Sequence, residues 1–222
     1  MRKYLIFFFL FFSCPLLQAQ DTTLSFLALG DSYTIGESVE ISERWPMQLA
    51  QALREKGVDI NDPQIIAKTG WTTDELKEAI ADADLNPPYH LVTLLIGVND
   101  QYREYDIQNY PGKFLYLLKK SISLAGDKPG HVMVLSIPDY GATPFAREKN
   151  PAKISKEIDR YNAINKSISD SLGVPYIDIT PISKEAKRDS TLLADDRLHP
   201  SGKMYKQWIN KVLPEILPQL QK

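Results

Sequence analysis

Short apolar runs alternate with longer stretches of helical period along most of this 222-residue chain. The short runs fit buried strands, and the stretches between them place apolar residues on one face of a helix. A strand, a crossover helix and a further strand, repeated in this order, build a parallel sheet with helices packed on it. The sequence therefore predicts an α/β fold whose sheet has five strands and is mostly parallel.

The predicted elements can be placed along the chain. The strands are Leu24–Leu29, Gln64–Ala67, Leu91–Ile96, Val132–Ile137 and Tyr176–Ile179. The helices are Pro46–Lys56, Thr72–Ala83, Lys113–Leu124, Ser155–Leu172 and Lys203–Leu213. The first helix has proline in its first turn. The second begins with a Thr-Thr-Asp-Glu capping-box pattern. Gly126, Gly173 and Pro214 are predicted at or just past helix ends.

The first twenty residues have the pattern of a secretory signal peptide. Met1-Arg2-Lys3 is a basic start, Leu5 to Phe12 is an unbroken apolar run, and Ala19-Gln20 is a plausible cleavage site with a small residue. The run is too short to span a bilayer as a stable helix, and no later segment approaches 18 consecutive apolar residues, so a multispanning protein is not expected. We therefore expect a signal peptide at residues 1–20, a single domain at residues 21–222 without a transmembrane span, and an exported protein, periplasmic or secreted. An uncleaved N-terminal anchor is the alternative.

Charge and cysteine content limit the partners. The chain has 26 Lys+Arg and 28 Asp+Glu, a net charge of −2, and no basic run suited to a series of phosphates, so no nucleic-acid partner is expected. Cys14 is the only cysteine and lies in the predicted signal, so cleavage after Gln20 leaves a protein without a disulfide. A lipoprotein modified at Cys14 is an alternative, although Phe11-Phe12-Ser13 and Pro15 make a poor lipobox. The sequence leaves the oligomeric state open.

Polar and glycine residues follow the predicted strands, where the crevice of an open parallel sheet binds its ligands. These segments are Gly30-Asp31-Ser32-Tyr33-Thr34, Thr69-Gly70-Trp71, Gly97-Val98-Asn99-Asp100 and, near the C-terminus, Asp196-Arg197-Leu198-His199-Pro200. The carboxyl ends of the strands would gather all four at one sheet edge.

Together these residues meet the requirements of a serine hydrolase, which needs a nucleophile, an imidazole base, a carboxylate and oxyanion donors. Ser32 is the candidate nucleophile, His199 the base and Asp196 the carboxylate. The backbone N–H groups of Ser32 and Gly70 and the side-chain amide of Asn99 are candidate oxyanion donors.

The four segments resemble the secreted SGNH, or GDSL-type, esterases and lipases. Ser32, Gly70, Asn99 and His199 match the four residues that give the family its name, and Asp196 completes its D-x-x-H element. Tyr33 replaces the family's usual leucine. The resemblance implies a three-layer α/β/α sandwich, flavodoxin-like in its sheet, and hydrolysis of esters or thioesters through an acyl-enzyme without metal or organic cofactor. Trp45-Pro46 resembles the bacterial branch of acyl-esterases, thioesterases and lysophospholipases.

Several residues have competing interpretations. Gly-Asp-Ser is also ordinary turn chemistry, and Asp195 rivals Asp196, which the family spacing favours. His90 and His131 precede strands and are expected at the opposite sheet edge. Four residues beside the motifs are candidate substrate contacts: Tyr33, Trp71, Val98 and Tyr102. No metal site is expected, because suitably spaced carboxylates and imidazoles are lacking.

The function predicted from the sequence is a secreted serine hydrolase that cleaves carboxylic esters or thioesters, with lipid or other small-molecule esters as substrates. A carbohydrate O-acetylesterase acting on polysaccharides would use the same residues. A non-catalytic secreted binding protein that kept the fold is the alternative from another class.

Overall fold

The computed structural model describes residues 23–221, so the predicted signal peptide and Cys14 lie outside the described residues. One five-stranded sheet, entirely parallel, has the strand order β2-β1-β3-β4-β5. Its strands are β1 (Phe26–Gly30), β2 (Gln64–Ala67), β3 (Leu91–Leu95), β4 (Val132–Leu135) and β5 (Tyr176–Ile177). This order is that of flavodoxin-like sheets, which confirms the predicted fold class.

Helices cover both faces of the sheet. They are α1 (Ser32–Ile35), α2 (Trp45–Glu55), α3 (Thr73–Asp82), α4 (Val98–Tyr102), α5 (Tyr110–Leu124), α6 (Pro151–Ser171), α7 (Thr180–Lys184) and α8 (Gly202–Leu220). α2 packs against α8, whereas α5 packs against α3 and α6. Short 3₁₀ segments complete the connections, among them Tyr140–Ala142 and Pro144–Ala146 after β4. No helix within residues 23–221 is long and apolar enough to cross a membrane.

The central strands explain why the sequence shows continuous apolar runs instead of alternating ones. Every residue of β1 and β3 is buried, because helices cover the sheet on both sides. The large side chains of Trp45 on α2 and Trp208 on α8 are fully buried in the same core. The sheet is therefore a rigid base for the loops at its carboxyl edge.

Several predicted boundaries differ from the structure by two to four residues, and the largest difference is at the end of the last helix. The last helix was expected to end near Leu213, but α8 continues through Pro214 and Pro218 to Leu220. A proline inside a helix costs about 3 kcal/mol. Ile216 follows Val212 by one turn, and both side chains are fully buried. Burying such a side chain contributes about 1.5–3 kcal/mol, so core packing offsets much of the proline penalty.

Candidate active site

Ser32 lies directly beyond the carboxyl end of β1, as the first residue of α1. Asp31 caps this helix, with Oδ1 accepting a 3.0 Å hydrogen bond from the Tyr33 N–H. At this position the backbone N–H of Ser32 has no partner within the helix. Burial raises the pKa of Asp31 to about 8, while the bond from Tyr33 acts to lower it. The turn thus presents Ser32 at the sheet edge while Asp31 holds its backbone.

His199 and Asp196 lie together in the loop that precedes α8. Nδ1 of His199 is 2.6 Å from Oδ2 of Asp196. The other carboxylate oxygen, Oδ1, accepts the backbone N–H groups of Leu198 and His199 at 2.9 Å each. The Tyr33 ring meets the imidazole edge-to-face, with centroids 5.7 Å apart. The carboxylate therefore contacts both the ring and the backbone of His199, and Asp195 is exposed beside it.

A fourth group on Asp196 was not predicted from the sequence. The hydroxyl of Ser38 donates to Oδ2 at 2.8 Å. Ser38 belongs to the turn after α1 and has a φ of 64°, a left-handed conformation that serine seldom adopts. Burial acts to raise the pKa of Asp196, but its hydrogen bonds from His199, Leu198 and Ser38 lower it to about 2.

Asn99 is held at the start of α4 by its neighbours on both sides. Gly97, before it, has a φ of 122°, and a Cβ there would lie 2.2 Å from the Tyr110 hydroxyl, so this position requires glycine. Asp100, after it, accepts the Thr73 N–H at 2.9 Å and the Thr73 hydroxyl at 2.6 Å. Nδ2 of Asn99 donates to the carbonyl of Trp71 at 2.9 Å. An amide nitrogen carries two N–H bonds, and this contact uses one of them.

Gly70 occupies a tight turn after β2, closed by a 3.2 Å hydrogen bond from the Trp71 N–H to the Lys68 carbonyl. Its φ of 85° suits glycine at this place in the turn. Arg103 donates from Nη2 to the Gly70 carbonyl at 2.5 Å and pairs with Glu75 at 3.3 Å. The structure therefore gives Arg103 a role in holding the Gly70 turn.

One cavity of about 240 Å³ joins these segments. Its lining residues are Ser32, Tyr33, Thr69, Gly70, Val98, Asn99, Tyr102, Tyr140, Phe145, Leu198 and His199. The predicted nucleophile, base and oxyanion donors all border this cavity. Asp196 does not line the cavity and contacts the Nδ1 side of the His199 ring.

Three of the four candidate substrate contacts line this cavity. They are Tyr33, Val98 and Tyr102. The Trp71 side chain is not among the lining residues and packs against the core instead. Phe145 and Leu198 also line the cavity but were not predicted as substrate contacts. Leu198 could have been inferred, because it adjoins His199 in sequence. Phe145 could not, because only the path of the chain after β4 brings it to the cavity.

The remaining histidines lie at the amino ends of the strands. Nδ1 of His90 accepts the Ser25 N–H at 3.1 Å just before β1, and His131 directly precedes β4. Among the described residues, no group of three or more His, Cys, Asp or Glu side chains is arranged to hold a metal ion.

Comparison with known proteins assigns the family. The model of the GDSL-like lipase/acylhydrolase family matches residues 28–207, from β1 into α8. The chain belongs to the GDSL-like lipase/acylhydrolase family. This family assignment supports the ester hydrolase that the sequence predicts.

Relatives of this GDSL-like protein agree with the assignment. An arylesterase from Vibrio mimicus is 31% identical over 127 residues, which are 55% of this chain; the match spans 60% of that relative's length. The crystal structure of TesA superposes with a TM-score of 0.67 at 16% identity, over 88% of this chain and 99% of TesA. A variant of Axe2, an acetyl xylan esterase from Geobacillus stearothermophilus, superposes with a TM-score of 0.60 at 19% identity. The superposition covers 87% of this chain and 96% of the Axe2 chain. At these identities the two structures establish the fold.

Proposed function

We propose that this protein hydrolyses esters through a Ser32-His199-Asp196 triad. The observation that carries the proposal is the 2.6 Å contact between His199 and Asp196, with the imidazole bordering the same cavity as Ser32. A carboxylate on Nδ1 fixes the tautomer in which Nε2 accepts a proton. Because Asp196 has a pKa of about 2, it is ionised at any pH at which His199 can act as a base.

The steps follow from this arrangement. Ser32 Oγ attacks the ester carbonyl carbon while Nε2 of His199 takes its proton. The resulting oxyanion accepts hydrogen bonds from the backbone N–H groups of Ser32 and Gly70 and from the free N–H of Asn99. The imidazolium returns its proton to the leaving alcohol or thiol, and the acyl group stays on Ser32. Water then attacks the acyl carbon while His199 takes its proton, the bond to Ser32 Oγ breaks, and the imidazolium returns the proton to Oγ as the acid leaves.

The size of the cavity favours a short acyl group. Pockets that enclose drug-sized ligands measure about 300–1,000 Å³, and this one measures about 240 Å³. Aromatic and aliphatic side chains form much of its wall, which suits an acyl chain or an aryl group, as in the arylesterase relative. Lysophospholipase-like or thioesterase action on a long chain requires that chain to leave the cavity over Tyr102 and Phe145, which are 46% and 39% exposed.

A carbohydrate O-acetylesterase is the second candidate. An acetyl group fits the small cavity, and the partly exposed rings of Tyr102 and Phe145 lie beside it with centroids 6.2 Å apart. Lys149 Nζ lies over both rings, 4.9 and 5.3 Å from their centroids. Sugars stack on aromatic rings through their apolar C–H surfaces, and here a sugar would lie beside this ammonium group. The fold shared with the acetyl xylan esterase Axe2 supports this candidate.

The test is hydrolysis of p-nitrophenyl esters from acetyl to palmitoyl by the protein and by Ser32→Ala, with a fluorophosphonate probe of serine reactivity. We expect a peak at short or medium chains that vanishes in the variant, and probe labelling lost in the same variant. Activity on acetylated xylo-oligosaccharides well above that on the aryl acetate would favour the sugar esterase. Equal inactivity of both proteins, without labelling, would leave the binding-protein alternative.

We also propose that the protein is exported, on the pattern of residues 1–20. Mass spectrometry of the protein from its native cells should find a mature N-terminus close to Gln20. An intact Met1 in the cytosolic fraction would contradict this.

A further inference from the structure

A second, larger cavity adjoins the one that contains Ser32. Its volume is about 380 Å³, and we call it the basic cavity. Four of its lining residues carry positive charge: Arg147, Lys187, Arg188 and Arg197. The other lining residues are Gly141, Ala142, Thr143, Pro144, Pro151, Ala186, Ser190, Leu193 and Ala194, so no carboxylate lines it. On a chain with a net charge of −2, this is a pronounced local concentration of positive charge.

Different residues of the same two chain segments line the two cavities. Tyr140 and Phe145 line the Ser32 cavity, whereas the residues between them, 141–144, line the basic cavity. In the His199 loop, Leu198 and His199 face the former and Arg197 faces the latter. A void of about 10 Å³ lies between them, bordered by residues of both. When a ligand's ester group reaches Ser32, the segment of residues 140–145 separates that ligand from the basic cavity.

The charges in the basic cavity are largely unneutralised. Arg188 pairs with Glu185 at 3.4 Å on the exposed surface. Within residues 23–221 no carboxylate lies within 4 Å of the charged groups of Arg147, Lys187 or Arg197. Two nearby acids have other partners: Lys203 binds Asp189 at 2.8 Å, and Lys184 lies 3.9 Å from the buried Asp139. Glu148 and Asp195 adjoin lining residues in sequence, but both are exposed and neither lines the cavity.

We propose that the basic cavity binds an anionic group, a phosphate, sulfate or carboxylate, carried by the leaving-group part of the ester substrate. The inference rests on the proposed function, since it takes Ser32 as the site of attack. Arginine and lysine are the side chains that recognise such groups, and a cavity lined by one sign of charge raises the local concentration of its counter-ion. The enzyme would thus prefer acidic esters over neutral esters with the same acyl group.

Matched substrate pairs test this proposal. One pair is butyryl glycerol 3-phosphate and monobutyrin; the other is an acetylated uronic-acid oligosaccharide and an acetylated xylo-oligosaccharide. We expect kcat/KM to be about tenfold higher for the acidic member of at least one pair at low salt. The advantage should disappear at high ionic strength, because salt screens these charges. The substrate pair that shows the preference for the acidic member indicates whether the acidic group belongs to a lipid or to a sugar.

The variant Arg147→Gln/Lys187→Gln should abolish that advantage by raising KM for the acidic ester, with kcat/KM for the neutral ester unchanged. Lys119→Gln/Lys128→Gln removes the same charge from exposed positions on α5 and before β4, and serves as the control. Calorimetric titration of the Ser32→Ala protein with each ester reports binding without turnover and should give the same preference.

The outcomes separate the two proposals. Equal kcat/KM within both pairs in the wild-type protein, or an acidic preference that survives in Arg147→Gln/Lys187→Gln, would overturn the basic cavity as a subsite and leave the proposed function standing. No hydrolysis of any ester and no fluorophosphonate labelling would refute the proposed function itself. If the double variant does not fold, the single variants Arg147→Gln and Lys187→Gln carry the test, and each should lose part of the acidic preference.

Discussion

The Ser38 hydroxyl lies 2.8 Å from Oδ2 of Asp196, the same oxygen that lies 2.6 Å from the His199 ring. Ser38 and Ser32 belong to one segment, because Ser38 is in the turn that follows α1. The contact therefore links the loop of the candidate nucleophile to the loop of the candidate base. It also holds the carboxylate in place with a donor other than the imidazole.

Replacing Ser38 should slow catalysis without unfolding the protein. We expect Ser38→Gly to lower kcat roughly tenfold, the rate equivalent of about 1.4 kcal/mol, because Asp196 loses a donor that positions it. Glycine accepts the φ of 64° without strain, so the thermal midpoint should not fall. Ser38→Asn is the rescue control, since asparagine tolerates this conformation and supplies a donor. Wild-type kcat in Ser38→Gly would show that the contact does not serve the reaction.

Asn99 offers a test of the oxyanion donors. Removing its amide in Asn99→Ala should lower kcat by about 10²–10³, with a small change in KM, because the lost hydrogen bond forms mainly in the transition state. Steady-state kinetics on p-nitrophenyl acetate measures this. A variant that keeps the wild-type kcat would remove Asn99 from the proposed site.

Arg103 should support activity through the Gly70 turn. In Arg103→Met the carbonyl of Gly70 loses its side-chain donor and Glu75 keeps only its contacts with Thr72. We therefore expect the turn to loosen and the Gly70 N–H to move away from its aligned position. We expect kcat to fall roughly ten- to a hundredfold, the size of effect that a small misplacement produces.

Arg54 provides a matched control for Arg103. It also binds one carbonyl, of Ile60 at 2.9 Å, and one carboxylate, of Asp62 at 3.0 Å. Those contacts are near the amino end of β1, away from the cavity. Arg54→Met should lose a similar amount of stability, about 1 kcal/mol, and keep its kcat. Equal kcat in both variants would contradict a role for Arg103 in positioning the turn.

Asp31 should make stability depend on pH. Burial raises its pKa from 3.8 to about 8, so between these values the folded protein holds a proton that the unfolded chain has released. The free energy of unfolding therefore falls as pH rises through this range. In Asp31→Asn the fall should be smaller, measured by urea unfolding at pH 4.5 and 7.5. The exposed Asp82→Asn is the control; parallel curves for wild type and Asp31→Asn would refute the raised pKa.

Much of this fold follows from local sequence patterns. Every predicted strand is present in the structure, because buried parallel strands require continuous apolar runs, and Gly126 and Gly173 follow helices with φ of 67° and 65°. The short helices α1, α4 and α7 were not predicted, since four or five residues are too few to show a helical period. Pro214 misled the prediction because its local penalty is offset by the burial of Ile216 on the core.

The sequence by itself determined the α/β class and the strands. It also supplied the candidate site residues Ser32, Gly70, Asn99, Asp196 and His199, because each lies in a motif whose order and spacing can be read along the chain. Only the tertiary structure decided which distant groups meet them. Ser38 reaches Asp196 across 158 positions, and the cations of the basic cavity come from segments that show no basic run. Such contacts depend on how loops pack at the sheet edge, and residue spacing along the chain carries no record of that packing.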